Sequence, residues 1–344
     1  MKTLKEANIK RGTSVLVRAG FDCPLGSKGE ILDDYRICTI VPTIRYLLEK
    51  KAKIILISHL DRPNPKSERD LKRYTLGPVA LRLEKLLKRK VKFINDCIGE
   101  RVEKEIKKMK PEEIVVLENL RFYKQEKEND LGFAKKLSEL ADIFVNDAFG
   151  VCHRSHCSIV GIPKFLPSYA GLWLEKEIKV LTYVLKNAKR PLVGIFGGVK
   201  IKTKLPAIKR FLSLADYVLV GGKIARNINF SHPKLYLPSD FRDTMDIGPR
   251  TINRFKGIIS KGKTIVWNGP LGYFEKEEFA KGTKAIAEAI SRNKGFKIAG
   301  GGETLLAILK YHLKNKFNFL STGGGAMLMF LGNQRLPGLE VLKG

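Results

Sequence analysis

Apolar positions along the chain fall into two kinds of run. SVLVRAGF (14–21), KIILISHL (53–60), VKFIND (91–96), EEIVVLENLRF (112–122) and DIFVNDAFG (142–150) are near-continuous in Val, Ile and Leu. Runs of that length and kind read as strands covered on both faces. Between them, TIVPTIRYLLEKKA (39–52), PVALRLEKLLKRK (78–90) and FAKKLSELA (133–141) repeat their apolar residues at helical spacing. The alternation restarts after a long helical stretch, LEKEIKVLTYVLKNA (174–188), which Lys189-Arg190-Pro191 ends. PLVGIFGG (191–198), DYVLVGG (216–222), TIVWNGP (264–270), FKIAGGG (296–302) and NFLSTGGG (318–325) follow, each a strand running into glycine. Strands alternating with helices mean βαβ units. The expected fold class is α/β, with two doubly wound parallel-sheet domains facing each other across a helical hinge. The expected boundaries are 1–173, 174–188 for the interdomain helix, and 189–326 for the second domain.

In such sheets ligands bind beyond the carboxyl ends of the strands. In the first half those ends carry GFD (20–22), SHLDRP (58–63), ENLR (118–121) and NDAFG followed by HRSH (146–156). Arg36, Arg62, Arg121 and Arg154 lie near them, with His59 and His153. Several guanidinium forks at strand ends suit a small, multiply anionic molecule. In the second half the ends are glycine-rich: GGVK (197–200), NGP (268–270), GGGET (300–304) and GGGA (323–326). The last two open helical patterns, and a glycine turn at a helix N-terminus presents N–H groups to phosphate. An anion site and a phosphate cradle together imply phosphoryl transfer between a nucleotide and a small anionic metabolite.

Composition changes this picture in one respect. The 344 residues include 64 Lys and Arg against 35 Asp and Glu, a net charge of +29. The partners are therefore anions, although most lysines are expected to be solvated surface. Hydrophobic residues at 44% exclude a mainly disordered chain, and no run is long enough to span a membrane. The N-terminus lacks the apolar segment of a signal peptide, and five sparse cysteines do not form a disulfide framework. Both features lead us to expect a cytoplasmic protein. Three motifs mislead. Gly257 to Thr264 fits the Walker pattern but precedes a strand, the reverse of a P-loop. Cys152-His153-Arg154-Ser155-His156-Cys157 is too compact to wrap a zinc ion. Asn229-Phe230-Ser231 is a glycosylation sequon without a secretory signal.

The motifs PLG (24–26), DDYRI (33–37), PTIRYLLEK (42–50), SHLxRP, NDCIG (95–99), ENLRF, VNDAFG, HRSH, AGxxLEKE (170–177), GGVKxxxK, DIGP (246–249), TIVWNGPLGYFE (264–275), FAKGT (279–283), STGGGA and LPG (336–338) occur in this order over nearly the whole chain. In this the sequence resembles the phosphoglycerate kinases. That family catalyses reversible transfer of the acyl phosphate of 1,3-bisphosphoglycerate to Mg-ADP, giving ATP and 3-phosphoglycerate. The resemblance implies that Gly20, Phe21, Asp22, His59, Arg62, Arg121 and Arg154 line the phosphoglycerate site, with Arg36 reaching the transferred group. It implies that Lys200 and Lys204 act on that group, so that Arg36, Lys200 and Lys204 form the catalytic set once the hinge closes. The nucleotide would be held by Gly198, Lys204, Asn268, Pro270, Glu275, Gly301, Gly302, Glu303 and Thr304. Gly323, Gly324 and Gly325 would cradle phosphate, and Glu303 would hold Mg2+ together with ATP or ADP. The tail, 327–344, would return to the first domain. The implied protein is a monomer acting on small molecules, with no membrane and no specific nucleic acid partner.

Several positions depart from the family pattern. Asp-Phe-Asn becomes Gly20-Phe21-Asp22, so a carboxylate is lost and an amide becomes an acid. Asp61 replaces a glycine, Glu303 an aspartate, Thr203 an acidic residue, and Lys223 a glycine. The stretch 223–245 lacks a helix and strand that would help wall the adenine pocket. These departures keep two alternatives open: a kinase with another small phospho-acceptor, or a degenerate kinase fold whose basic surface binds nucleic acid.

Overall fold

The computed structural model describes residues 1–343. By contact the chain divides into two compact units, Met1–Glu177 together with the stretch from Leu336 onward, and Ile178–Arg335. Each is built on a six-stranded sheet whose neighbouring strands are all parallel.

The first sheet contains β1 (Ser14–Arg18), β2 (Lys53–Ile57), β3 (Val91–Ile94), β4 (Ile114–Leu117), β5 (Ile143–Asn146) and β6 (Ser168–Ala170), in the order β3-β4-β2-β1-β5-β6. Its apolar runs are continuous because both faces are covered. Val15, Val17, Ile54 and Leu56 enter one core, while Leu16, Ile55, Ile57 and Leu117 enter the other. The helix expected over 39–52 is Tyr35–Glu49. It begins earlier, with Asp34 as its N-cap, and Lys51 turns left-handed at φ 56° before β2.

The second sheet contains β7 (Leu192–Phe196), β8 (Tyr217–Val220), β9 (Leu235–Tyr236), β12 (Thr264–Asn268), β13 (Phe296–Gly300) and β14 (Phe319–Ser321), in the order β14-β13-β12-β7-β8-β9. A small antiparallel pair, β10 (Phe241–Arg242) and β11 (Asp246–Ile247), stands apart from it. Helix Pro249–Lys261 followed by β12 spans the Walker-like residues, so that glycine motif enters a strand and opens no helix.

Helix Leu172–Asn187 crosses the division between the units, which falls after Glu177. The expected start of the tail, residue 327, lies inside helix Gly324–Leu331, which packs on helix Ile201–Leu214 of the second unit. The return to the first unit begins at Leu336. There Gly338 N–H donates to Cys152 O (2.9 Å) and Lys2 N–H to Leu342 O (2.8 Å). No helix among the described residues is long and apolar enough to cross a membrane.

Candidate active site

In the first unit the candidate residues gather at the carboxyl end of the sheet. Gly20–Asp22 leave β1, His59 and Arg62 follow β2, Arg121 follows β4, and Arg154 follows β5. Arg36 stands in the first turn of helix Tyr35–Glu49. Asp22 is the hub. Arg36 Nη1 donates to Asp22 O (2.7 Å) and to its Oδ2 (3.3 Å), and Asp61 N–H donates to Oδ1 (2.8 Å). His59 Nε2 lies 3.8 Å from the same carboxylate. Arg121 Nη1 donates to Asp61 O. Burial lowers the Arg121 guanidinium, and the nearby Arg62 and Arg154 charges lower it further. Arg62 and Arg154 expose their side chains.

Phe21 does not fit the expected contact role through its side chain. Its ring is fully buried in the core, and its N–H donates to Ser58 Oγ (3.0 Å). The ring shapes the loop and offers a ligand nothing polar. Three histidines in this region are held neutral. His59 lies well below its usual range because it is buried and faces Arg18, Arg121 and Arg36. His153 and His156 are pushed down to about 4, by burial first and then by neighbouring guanidinium charge.

Three supporting residues receive no role from the motifs, although Glu118 and Asn119 belong to ENLR (118–121). Arg18, the last residue of β1, is fully buried. Asn119 ties two site loops together, donating to Leu60 O (2.8 Å) and Tyr74 O (2.9 Å) and accepting from Arg121 N–H (3.0 Å). Glu118 accepts from Leu76 N–H (2.8 Å) and Asn119 N–H (2.7 Å). The sequence signal for Arg18 is a single charge at the end of an apolar run. The signal for the other two is polarity immediately after β4.

In the second unit the glycine turns form a separate cluster. Gly198 (φ 91°), Gly269 (φ 99°) and Gly301 (φ 105°) are left-handed, the conformation that glycine adopts without a Cβ penalty. The turns interlock: Gly197 N–H donates to Asn268 O (3.0 Å), Gly198 N–H to Pro270 O (2.7 Å), and Asn268 Nδ2 to Gly300 O (2.8 Å). A Cβ on Gly324 would sit 3.1 Å from Gly301 Cα, so the two GGG turns touch. Both open helices, Gly302–Lys310 and Gly324–Leu331, as their spacing suggests.

Lys204 lies beneath these turns and is nearly buried. Its Nζ donates to Gly197 O and approaches Asn268 O (3.4 Å). Burial pulls the ammonium down to about 8, and the facing Glu303 carboxylate acts the other way. Lys200, by contrast, is exposed at the N-cap of helix Ile201–Leu214. Thr304 is fully buried and its Oγ1 accepts from Gly269 N–H (2.7 Å), so its hydroxyl braces the loop. Glu275 is exposed on the loop after β12. The stretch 223–245 holds only the end of a four-residue helix (Gly222–Ala225) and two-residue strands. It starts against the glycine cluster, with Ile224 N–H donating to Gly198 O (3.1 Å).

The family model described as phosphoglycerate kinase matches residues 4–232 and 231–334. A phosphoglycerate kinase of Dictyoglomus turgidum is 42% identical over 392 aligned positions, covering 99% of this chain and 98% of the relative. One from Borrelia garinii subsp. bavariensis is 41% identical over 396 positions, covering 100% and 99%. Both alignments exceed the 344 residues of this chain, so these relatives carry residues that it lacks. The two matched stretches of the family model meet inside 223–245, where the chain is expected to be short. A solved phosphoglycerate kinase from Pyrococcus horikoshii superposes with a TM-score of 0.86 at 32% identity, covering 100% of this chain and 98% of that one. The Coxiella burnetii enzyme gives 0.79 at 32%, covering 99% and 98%. Fold, motifs and full-length identity agree, and the chain belongs to the phosphoglycerate kinase family.

Proposed function

We propose that this protein transfers a phosphoryl group reversibly between 1,3-bisphosphoglycerate and Mg-ADP, giving 3-phosphoglycerate and ATP. The observation that carries this reading is the cationic cluster of the first unit. Arg36 and Arg121 are tied to one another through Asp22 and Asp61 at the strand ends, with neutral His59 standing 3.8 Å from the Asp22 carboxylate. A molecule with a carboxyl group and a phosphate matches such a cluster. In the second unit, Lys204 and the interlocked glycine turns supply a buried ammonium and N-terminal amides for nucleotide phosphates. A loose phosphoryl transition state needs positioning and charge neutralisation more than covalent help. Arg36, Lys200 and Lys204 are the residues assigned that neutralisation.

Glu303 fits a magnesium role by its chemistry. It is a single carboxylate in the first turn of its helix, and its Oε2 is directed toward the Gly198 turn. Magnesium takes one or two carboxylates and fills its remaining positions with water and phosphate oxygens. When bound it neutralises phosphate charge. The reading also includes a cytoplasmic monomer without a nucleic acid partner. A reducing compartment accords with five cysteines, none joined by a disulfide among the described residues.

ATP-dependent phosphorylation of 3-phosphoglycerate in a coupled assay tests the reading, and absence of turnover at saturating Mg-ATP and substrate overturns it. One observation favours a second reading, a different small phospho-acceptor. Gly20 has room for a side chain where the family carries a carboxylate: apart from its chain neighbours, an added Cβ would meet Ala148 Cα at an ordinary 3.9 Å. Turnover of another hydroxy-acid phosphate without turnover of 3-phosphoglycerate would select it.

A further inference from the structure

Arg18 is a charged residue, fully buried, in a position to which no motif gives a task. Each of its nitrogens has a defined partner. Nε donates to Ser158 Oγ (2.8 Å), and Nη1 donates to Ala19 O (2.6 Å) and Ser58 Oγ (3.3 Å). Nη2 contacts His59 Nδ1 at 2.8 Å. The far side of the network is a carboxylate. Ser158 donates its hydroxyl to Glu126 Oε1 (2.6 Å) and its N–H to Oε2 (2.9 Å), so a serine bridges the buried opposite charges.

A guanidinium can only donate. His59 Nδ1 must therefore hold a lone pair, and the proton of the neutral ring sits on Nε2. Nε2 faces Asp22 Oδ2 at 3.8 Å, too far for a direct hydrogen bond. We propose that Arg18, braced by Ser158 and Glu126, is a positioning residue that fixes His59 as the neutral Nε2–H tautomer. The ring thereby presents one N–H donor to an acceptor oxygen of the anionic substrate beside Asp22. The substrate's identity rests on the phosphoglycerate kinase reading, whereas the tautomer does not.

The surroundings act in the same direction. A second ring proton would place Nδ1–H against the N–H of Arg18. The charges facing His59 are Arg18 at the end of β1, Arg36 on its helix, and Arg121 after β4, with His156 after β5 held neutral. Among the described residues, Asp22 is the carboxylate paired with the ring, while Glu126 lies on the far side of Ser158 and Arg18. Burial and three cations outweigh one half-exposed carboxylate.

Nitrogen-15 and proton NMR of the imidazoles in the whole protein reads the tautomer directly. In the native protein Nδ1 of His59 should be unprotonated, with no titration between about pH 5.5 and about pH 8. In Arg18→Met, which removes the donor to Nδ1, and to a lesser degree in Ser158→Ala, which loosens it, His59 should show a mixture of Nδ1–H and Nε2–H tautomers. In both variants KM for 3-phosphoglycerate should rise about fivefold at pH 8, the scale of one misoriented hydrogen bond to a charged group, with kcat changing less. Arg18→Lys, which keeps a donor, should restore part of the native behaviour. A native Nδ1–H tautomer, ordinary native titration, or a pure Nε2–H tautomer retained in both variants overturns the proposal. Should Arg18→Met fail to fold, the native spectrum and Ser158→Ala decide it. Absence of native turnover would defeat the kinase reading and leave the NMR result decisive for the tautomer.

Discussion

Asp22 concentrates the chemistry of the first unit in one carboxylate. It accepts from Arg36 and from the Asp61 N–H, and it stands near His59. A fixed negative charge there competes with a substrate carboxylate for Arg36. The double substitution Gly20→Asp with Asp22→Asn restores the family arrangement. It should lower the apparent KM for 3-phosphoglycerate about fivefold, by returning one charged hydrogen bond to the substrate. An unchanged KM in steady-state assays would show that these positions do not limit binding. Lys204 carries a second prediction. Its ammonium is charged below about 8 and neutral above it, because burial disfavours the charged form. A neutral lysine cannot neutralise phosphate, so kcat/KM for Mg-ATP should fall as pH rises through about 8. A profile flat from neutrality to about pH 9.5 would contradict this role. His59 and Arg121 were legible in the sequence because they fall just past apolar runs, and Arg36, in the first turn of a helix, through the DDYRI motif. Arg18 was not, because its task comes from residues of three other segments, Ser58–His59, Glu126 and Ser158.

Strand, glycine turn and helix form the unit that makes the nucleotide half. The turns after β7 and β12 pack so closely that side chains are excluded. A Cβ on Gly269 would lie 2.3 Å from Gly197 O and 2.2 Å from Lys204 Nζ, at a φ that L residues rarely adopt. Gly269→Ala should therefore destabilise the protein by about 1–3 kcal/mol and weaken nucleotide binding. Urea unfolding and a nucleotide titration check the two effects, and unchanged values in both would refute the packing argument. The segment 223–245 carries a further expectation. The glycine turns proposed to face phosphate are intact while the stretch expected to wall the base is short. ATP and GTP should support turnover with KM values within about a hundredfold, because the apolar contacts that remain can separate the bases by only about 1–3 kcal/mol. Strong rejection of GTP would mean that other residues read the base. The glycine–helix turns were readable because a GGG between a strand run and a helical run has few other uses. Helix ends were read less well, since left-handed residues such as Lys51 depend on what the next strand requires.

At the scale of the whole molecule, the net charge of +29 exceeds what the site can use. Six basic residues, Arg36, Arg62, Arg121, Arg154, Lys200 and Lys204, have assigned tasks on phosphate and carboxylate. The remainder is mostly exposed lysine and arginine. Such a surface should retain nucleic acid at low salt and release it at about 0.15 M, since counterion release sets the affinity of nonspecific contacts. Gel retention that survives physiological salt would instead indicate a dedicated nucleic acid site. The division into two units was visible as a restart of the alternating pattern. Its position within helix Leu172–Asn187, and the membership of 327–335 in the second unit, were not. Those depend on which apolar faces meet, and periodicity does not encode that.

The sequence by itself determined the α/β architecture, the parallel sheets and the strand-end placement of the candidate residues. Periodicity and residue type are local, and covered parallel strands leave an unambiguous apolar signature. Tertiary structure decided the rest. It made Asp22 the partner of Arg36, turned Phe21 into core, sank Lys204 beneath the glycine turns, and set Arg18 against His59. These outcomes join residues distant in sequence. The energies behind them, burial of charge and the directionality of hydrogen bonds, exist only once the segments have been brought together.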